Sequence, residues 1–228
     1  MTVDIVTGTT RDHLALLDKA VGHRVEQYIH KQVIAPFLNL QRAAIKEGFD
    51  LQICSAFRSF DRQLAIWNGK ATGTKAVVDD SGQPIDITVL DSWQKIQAIM
   101  RWSALPGASR HHWGTDFDIY DANAMPEEYQ IKLTPDEVQG DGLFAPMHEW
   151  LDQYIQSGST EFYRPYAFDT GGIAPERWHL SYRPLADQYA AIQTIDVIAQ
   201  RLQQSEIILI DTVMEYLDEI YNRYILVD

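Results

Sequence analysis

Two imidazoles and two carboxylates fall within residues 109–118, which read SRHHWGTDFD. Apolar and polar positions alternate in the second half of this stretch, which predicts a strand. Side chains of a strand alternate between its faces, so Asp116 and Asp118 are expected on the same face. His111 and His112 are adjacent and must diverge, so only one of them joins that face easily. Imidazole nitrogen and carboxylate oxygen together suit zinc.

A second segment could supply what this stretch lacks. Glu176 and His179 follow Pro175, which indicates a loop entering a short extended run rather than a helix. The two side chains converge only if the chain turns between them. A catalytic zinc takes three protein ligands, keeps one position open for water and needs a nearby base. His111, Asp118 and His179 are therefore the candidate ligands, and Glu176 is the candidate base.

Three blocks of residues occur in a fixed order along the chain. They are Ser55, Arg58, Ser59 and Gln63, then Ser109, His111, Gly114 and Asp118, then Glu176, Trp178 and His179. In this order the blocks resemble the VanY-type D-alanyl-D-alanine carboxypeptidases, zinc peptidases that trim bacterial cell-wall peptides. The resemblance spans about residues 40–184.

The resemblance implies a role for each matching residue. His111, Asp118 and His179 would hold zinc, Glu176 would be the catalytic base, and Arg58 would bind the substrate. Arg58 follows an expected core strand, and its planar guanidinium matches a carboxylate with two parallel hydrogen bonds. A structural ion pair is the alternative for this arginine.

Four further residues are expected to bind the substrate. Gln63 belongs to the first block, and Trp178 is expected as a wall of the pocket or as core packing. Ser109 could hydrogen-bond the substrate or the turn that it begins. Asp116 stands where many members of the family have alanine, and it could orient a ligand histidine or meet a substrate ammonium.

The remaining histidines lack ligand spacing. His112 is predicted to pack or to support the site, and His13, His23 and His30 are predicted to be surface or capping residues. His148 is predicted not to be a ligand, because nothing near it in the sequence completes a site.

Composition narrows the classes of function. The 228 residues include 19 basic and 32 acidic side chains, a net charge of −13. Phosphate binding needs clustered Lys and Arg, so nucleic acid is excluded as a partner. Cys54 is the only cysteine and is expected to be buried. Neither a signal peptide nor a membrane span is visible, which at face value predicts a cytoplasmic protein.

The expected fold is one α+β domain over residues 1–228, with a small antiparallel sheet carrying the zinc site and helices around it. Its core would cover about residues 40–184. The N-terminal helices would occupy 10–46, with one helix over 10–22 and a second from about 23 to 46 that Pro36 kinks or divides. Extra C-terminal helices would occupy 186–225. The other expected elements are a strand at 51–55, a helix from about 61 to 69, a loop at 69–86, a helix at 92–100, a strand at 131–134 and a helix at 145–155.

The predicted function is zinc-dependent hydrolysis of the terminal D-Ala-D-Ala bond of peptidoglycan-derived peptides. Two alternatives stay open, an L,D-carboxypeptidase acting on tetrapeptides and a zinc-containing binding module without turnover. The C-terminal helices would pack on the N-terminal helices or form a homodimer contact.

Overall fold

The computed structural model describes residues 2–17 and 26–226. The strands are Leu14–Leu17 (β1), Gln27–His30 (β2), Leu51–Ser55 (β3), Asp116–Asp121 (β4), Phe162–Tyr163 (β5) and His179–Tyr182 (β6). The α-helices are Thr2–Val6 (α1), Ile34–Lys46 (α2), Phe60–Ala71 (α3), Ser92–Met100 (α4), Pro135–Val138 (α5), Ala145–Gln156 (α6), Arg183–Ala190 (α7), Ile195–Gln203 (α8), Ile210–Glu215 (α9) and Leu217–Ile220 (α10). Short 3-10 helices occupy Lys31–Val33, Ile87–Val89 and Arg110–Trp113, and a π-helical turn occupies Tyr221–Ile225. The predicted α+β class is confirmed.

The main sheet is antiparallel, with the strand order β3-β4-β6-β5, and β4 lies near its centre. Every residue of β4 is buried. Phe117 and Ile119 point into an apolar cluster that also contains Phe37 of α2 and Ile53 of β3. The alternation of the strand turns Asp116 and Asp118 to the opposite face. Thus one face of β4 holds the core and the other holds carboxylates.

The C-terminal helices divide between two apolar clusters. Helix α7 packs with α2 in the first cluster, whereas α8, α9 and α10 pack on α3 and α4 in a second one. The expected contact with the N-terminal helices is therefore present for α7, and Val197 of α8 also packs against the first cluster. Trp67 of α3 donates from Nε1 to the carbonyl of Ile208 at 2.9 Å, which joins the last segment to the body of the fold. The homodimer contact stays a prediction.

The predicted helix over 10–22 is wrong where the structure describes it. Residues Leu14–Leu17 form β1, which pairs antiparallel with β2. The rest of that predicted helix, residues 18–22, lies outside the described residues. The second predicted helix begins only at Ile34, so Pro36 sits in its first turn, where the missing N–H does no harm, and does not kink it.

The strand predicted at 131–134 is also wrong. The backbone N–H groups of Lys132 and Thr134 donate to the Glu137 carboxylate, at 2.9 and 3.3 Å, instead of to a neighbouring strand. The predictions of β3, α3, α4 and α6 are confirmed to within two residues at each end. Each helix in the described part of the chain is too short or too polar to cross a membrane.

Candidate metal centre

The register of the sheet brings two of the candidate ligands together. Asp118 of β4 stands directly opposite His179 of β6. Side chains of an antiparallel pair that face each other lie on the same side of the sheet. The third candidate, His111, comes from the 3-10 helix that precedes β4, with two residues between them. His111, Asp118 and His179 are buried, and each offers one ligand atom within 4.8 Å of the others.

Each imidazole is held so that one nitrogen faces the cluster. The Nδ1 of His111 lies 2.9 Å from the carbonyl oxygen of Ala56, which can only accept, so Nδ1 carries the proton. The Nε2 of His111 is thereby left as a lone pair, 3.5 Å from Asp118 Oδ2. Metal-bound histidines are commonly oriented in this way through their other nitrogen.

His179 is oriented in the reverse sense. Its Nε2 donates to Asp116 Oδ1 at 3.1 Å, and its Nδ1 lies 3.5 Å from Asp118 Oδ1. Among the described residues, Nδ1 of His179 is a buried nitrogen without a hydrogen-bond partner. A borderline cation between these three residues would satisfy this atom, so the donor set fits zinc.

Glu176 reaches the cluster because the chain turns between it and His179. The backbone N–H of His179 donates to the carbonyl of Glu176 at 3.0 Å. Glu176 Oε2 then lies 3.4 Å from Nδ1 of His179, on the side that lines the cleft. Burial raises the pKa of the Glu176 carboxyl, although the neighbouring His179 opposes this effect. The side chains of Glu176 and His179 therefore converge, a point that the sequence alone left open.

Asp116 is turned away from the cleft. It is fully buried, and it accepts hydrogen bonds from Arg110 Nε at 2.8 Å and from the Thr115 hydroxyl at 2.7 Å, besides that from His179. Burial alone would raise the pKa of Asp116, but Arg110 and His179 outweigh it and lower the pKa, so the group stays ionised. Of the two roles considered, orienting a histidine fits this geometry, whereas contact with a substrate does not.

Arg58 lies just after β3 and lines the cleft with Glu176 and the three candidate ligands. Its Nη1 donates to Gln63 Oε1 at 2.9 Å, and Gln63 Nε2 in turn donates to the carbonyl of Ala104 at 2.6 Å. Burial lowers the pKa of Arg58, and the Asp118 and Glu176 carboxylates counteract it. Gln63 is fully buried, which contradicts its predicted contact with substrate; it positions Arg58 instead.

The cleft has a volume of about 500 Å³, and both Ser109 and Trp178 line it. Ser109 also precedes the 3-10 helix, so it occupies both of the positions that we considered for it. Trp178 stacks on Trp102, with ring centroids 6.3 Å apart, and the pair forms one wall.

Comparison with known proteins decides the family. The family model described as VanY, D-alanyl-D-alanine carboxypeptidase, matches residues 26–185, well over half of the chain. The chain belongs to the VanY family. It is therefore an enzyme of a peptidase family, and the resemblance drawn from the three blocks is confirmed.

Two relatives of this VanY-family chain are uncharacterised proteins of Haemophilus influenzae (strain ATCC 51907 / DSM 11121 / KW20 / Rd). One is 45% identical over 105 residues, which are 46% of this chain and 70% of that protein. The other is 29% identical over 123 residues, which are 53% of this chain and 92% of that protein.

Solved structures share the fold. VanYB in complex with D-alanine-D-alanine aligns with a TM-score of 0.50 at 22% identity, over 90% of this chain and 87% of that one. The LdcB LD-carboxypeptidase aligns with a TM-score of 0.53 at 22% identity, over 80% of this chain and 72% of that one. At such low identity these likenesses establish the architecture alone.

The remaining described histidines lie outside the cluster. His112 is buried and holds the backbone of Arg58, with Nδ1 2.6 Å from its carbonyl oxygen. His30 accepts from the Gln32 N–H at the start of a 3-10 helix, as a capping residue does. His13 is buried, so the expectation of a surface position is wrong for it. His148 is buried as well and lies outside the group of candidate ligands. His23 lies outside the described residues.

Sequence analysis missed two residues of this VanY-family site. Arg110 compensates the buried charge of Asp116 and also donates to the hydroxyls of Tyr163 and Ser181, at 2.6 and 2.9 Å. Tyr166 packs edge-on against the ring of His179 at 4.9 Å. Arg110 could have been suspected, because an extra carboxylate in a buried strand needs a cationic partner. Nothing in the sequence pointed to Tyr166.

Proposed function

We propose that the protein is a zinc-dependent carboxypeptidase that hydrolyses the terminal D-Ala-D-Ala bond of peptidoglycan-derived peptides. The observation that carries the proposal is the buried cluster of His111, Asp118 and His179, with the Glu176 carboxylate beside it at the cleft. Three protein ligands with an adjacent carboxylate are typical of catalytic zinc sites, whereas structural sites use four ligands and need no base. This distinction also favours an enzyme over a binding module.

His111, Asp118 and His179 would hold the ion, which when bound lowers the pKa of water toward neutral and polarises a carbonyl. Glu176 would accept the proton of the attacking water and return it to the departing amine. Its raised pKa suits both steps, because a base must also release its proton within the same cycle.

Arg58 would bind the terminal carboxylate of the peptide and so restrict cleavage to the last bond. Its guanidinium lines the same cleft as Glu176, and Gln63 holds it in place. Burial makes this cation effective, because charge-assisted hydrogen bonds strengthen where water is scarce. Ser109 lies in the same wall and would assist.

The L,D bond of a tetrapeptide is the second candidate. VanYB, whose structure contains D-alanine-D-alanine, and LdcB, an LD-carboxypeptidase, align with similar TM-scores. The fold alone therefore does not separate the two stereochemistries, and only the D,D reaction follows from the family description.

The test is D-alanine release from a pentapeptide ending in D-Ala-D-Ala, followed with and without a chelator. Release should stop with the chelator and return with zinc. Glu176→Gln should lower kcat by roughly 10²–10⁴-fold, the usual contribution of a general base, while zinc stays bound. Glu149→Gln, at an exposed carboxylate on α6, is the matched control and should leave kcat unchanged.

Full activity of the Glu176→Gln variant would remove Glu176 from the role of base. Zinc-loaded protein that releases nothing from the pentapeptide but cleaves a tetrapeptide would replace the D,D reaction by the L,D one.

A further inference from the structure

A second groove of about 880 Å³ shares Trp178 with the cleft as a lining residue. Four arginines line it, Arg164, Arg177, Arg183 and Arg223, and Asp152 is its one acidic lining residue in the described part of the chain. The whole protein carries a net charge of −13. The sign of the charge is thus reversed at this groove.

The inner half of the groove holds two guanidinium groups on one carboxylate. Arg164 Nε donates to Asp152 Oδ1 at 2.7 Å, and Arg177 Nη2 donates to Asp152 Oδ2 at 2.6 Å. The side chain of Arg164 is only 7% exposed, and its Nη1 has no hydrogen-bond partner among residues 2–17 and 26–226. One positive charge is left uncompensated at a partly dry site, where an added anion would be stabilised.

The outer half adds two cations and an aromatic surface. The guanidinium of Arg183, an exposed residue, lies 3.9 Å from the ring centroid of Tyr163. Arg223 donates to the carbonyl of Gly171 at 2.6 Å and reaches Glu219 only at 3.5 Å. Phe168, at 82% exposure, lines the same groove. Both arginines are available to planar acceptors such as carboxylates.

The groove adjoins the cleft. Pro135, Tyr166, Ile173 and Trp178 line both, so one layer of side chains separates the two spaces. If the C-terminal carboxylate of a peptide binds at Arg58, as proposed above, the residues on its acyl side would extend over these shared residues toward the arginines. The positive charge of the arginines would favour peptides that carry negative charge on their acyl side.

We propose that this arginine groove, defined by Arg164, Arg177, Arg183 and Arg223, binds the acyl side of the peptide substrate and selects substrates with carboxylates there. The inference rests on the proposed function of the cleft. It makes the substrate a longer, acidic peptide and not a free dipeptide.

The test uses two matched peptides with the same D-Ala-D-Ala end. One carries two glutamates on its acyl side and the other carries two glutamines. The wild type should show a KM about tenfold lower for the acidic peptide, roughly the effect of one charge-assisted hydrogen bond, with equal kcat. The double variant Arg183→Gln/Arg223→Gln should lose this preference and keep the kcat.

A control variant removes the same charge elsewhere. Arg11 and Arg42 are exposed and lie outside both spaces, so Arg11→Gln/Arg42→Gln should retain the preference. Equal KM values for the two peptides in the wild type would contradict the proposed role of the groove. An equal loss of the preference for the acidic peptide in both double variants would contradict it as well.

Calorimetric binding of the same peptides to the Glu176→Gln variant separates this inference from the proposed function. Preference for the acidic peptide that depends on Arg183 and Arg223 supports the groove even where the wild type releases no D-alanine. Hydrolysis without any such preference would support the proposed carboxypeptidase activity and contradict the proposed role of the groove.

Discussion

At the scale of single residues, the site assigns different tasks to two carboxylates on one face of β4. Asp118 faces the free nitrogens of both imidazoles, whereas Asp116 accepts the proton on the far nitrogen of His179. The fold tolerates the fully buried charge of Asp116 because the guanidinium of Arg110 lies beside it and compensates it. The environment of each carboxylate, and not its type, sets its task.

Asp116→Asn tests this assignment. The variant keeps the shape but loses the negative charge that orients His179 Nε2, so we expect zinc affinity to fall about 10–100-fold, as for other groups that support metal ligands. A competition titration with a chromophoric chelator measures it. The free energy of unfolding should also fall by roughly 3–5 kcal/mol, because Arg110 keeps a buried charge without its partner.

Ser181→Ala is the control for this prediction. It removes a hydrogen bond to Arg110 and leaves the contact between Asp116 and His179 in place. Zinc affinity near that of the wild type is expected. If Asp116→Asn binds zinc as tightly as Ser181→Ala does, Asp116 is a structural partner of Arg110 and nothing more.

At the scale of elements, the turn at Gly114 sets the position of His111 relative to Asp118. Gly114 joins the 3-10 helix to the approach of β4 with φ at +68°, and its carbonyl accepts from the His30 N–H at 2.8 Å. A Cβ at this position would come within 2.5 Å of a Leu14 methyl and 3.0 Å of the His30 nitrogen. The paired strands β1 and β2 thus pack closely against the turn that follows the 3-10 helix of His111.

Gly114→Ala should therefore destabilise the fold by about 3 kcal/mol, as the sum of left-handed strain and overpacking. Gly158→Ala separates the two causes, because Gly158 has a similar φ of +71° and open space around it. That control should lose only about 1 kcal/mol. Urea midpoints of both variants measure the difference, and equal losses would show that the hairpin yields to the added methyl.

The elements also show what sequence patterns could predict. The clustering of the candidate ligands, Glu176 and Arg58 at one cleft was predictable, because three spaced blocks together are specific where each block alone is not. The four apolar residues of β1 fit a helix as well as a strand. They form a strand because they pair with β2, and this pairing is not visible in the local sequence. The task of Gln63 was out of reach, and the two roles considered for Asp116 could not be separated, for a related reason. Both depend on partners at Ala104 and Arg110 whose proximity arises only in the folded chain.

At the scale of the whole molecule, two apolar clusters hold the cleft between them. The first lies behind β4, and the second joins α3 and α4 to the C-terminal helices. Arg101, after α4, bridges Asp80 and Asp169 at 2.6 Å each and thereby ties a cleft-lining loop to the segment before Glu176. The cleft therefore depends on packing in both clusters, so we expect it to be lost when the fold is destabilised.

That stability should depend on pH through buried histidines that lie outside the group of candidate metal ligands. Burial, aided by the nearby His30, lowers the pKa of His13 to about 4, and burial lowers that of His148 well below its usual value. The unfolded chain binds a proton at each of them near pH 6.5, where the folded chain does not. Between about pH 6.5 and 4 the unfolded state therefore holds more protons, so the free energy of unfolding falls as the pH falls.

His13→Gln should remove one share of this dependence. Its loss of stability between pH 7 and pH 4.5 should be smaller than that of the wild type by roughly 2 kcal/mol, the linkage equivalent of the shift at His13. Urea denaturation of chelator-treated protein measures both, and the difference cancels groups that titrate alike in the two chains. His148→Gln should act independently, because His148 is held by Arg164 on a different element, and the double variant should show the sum. Parallel pH profiles for His13→Gln and the wild type would mean that the fold accepts a proton at His13 without cost, and the acid sensitivity would then lie elsewhere.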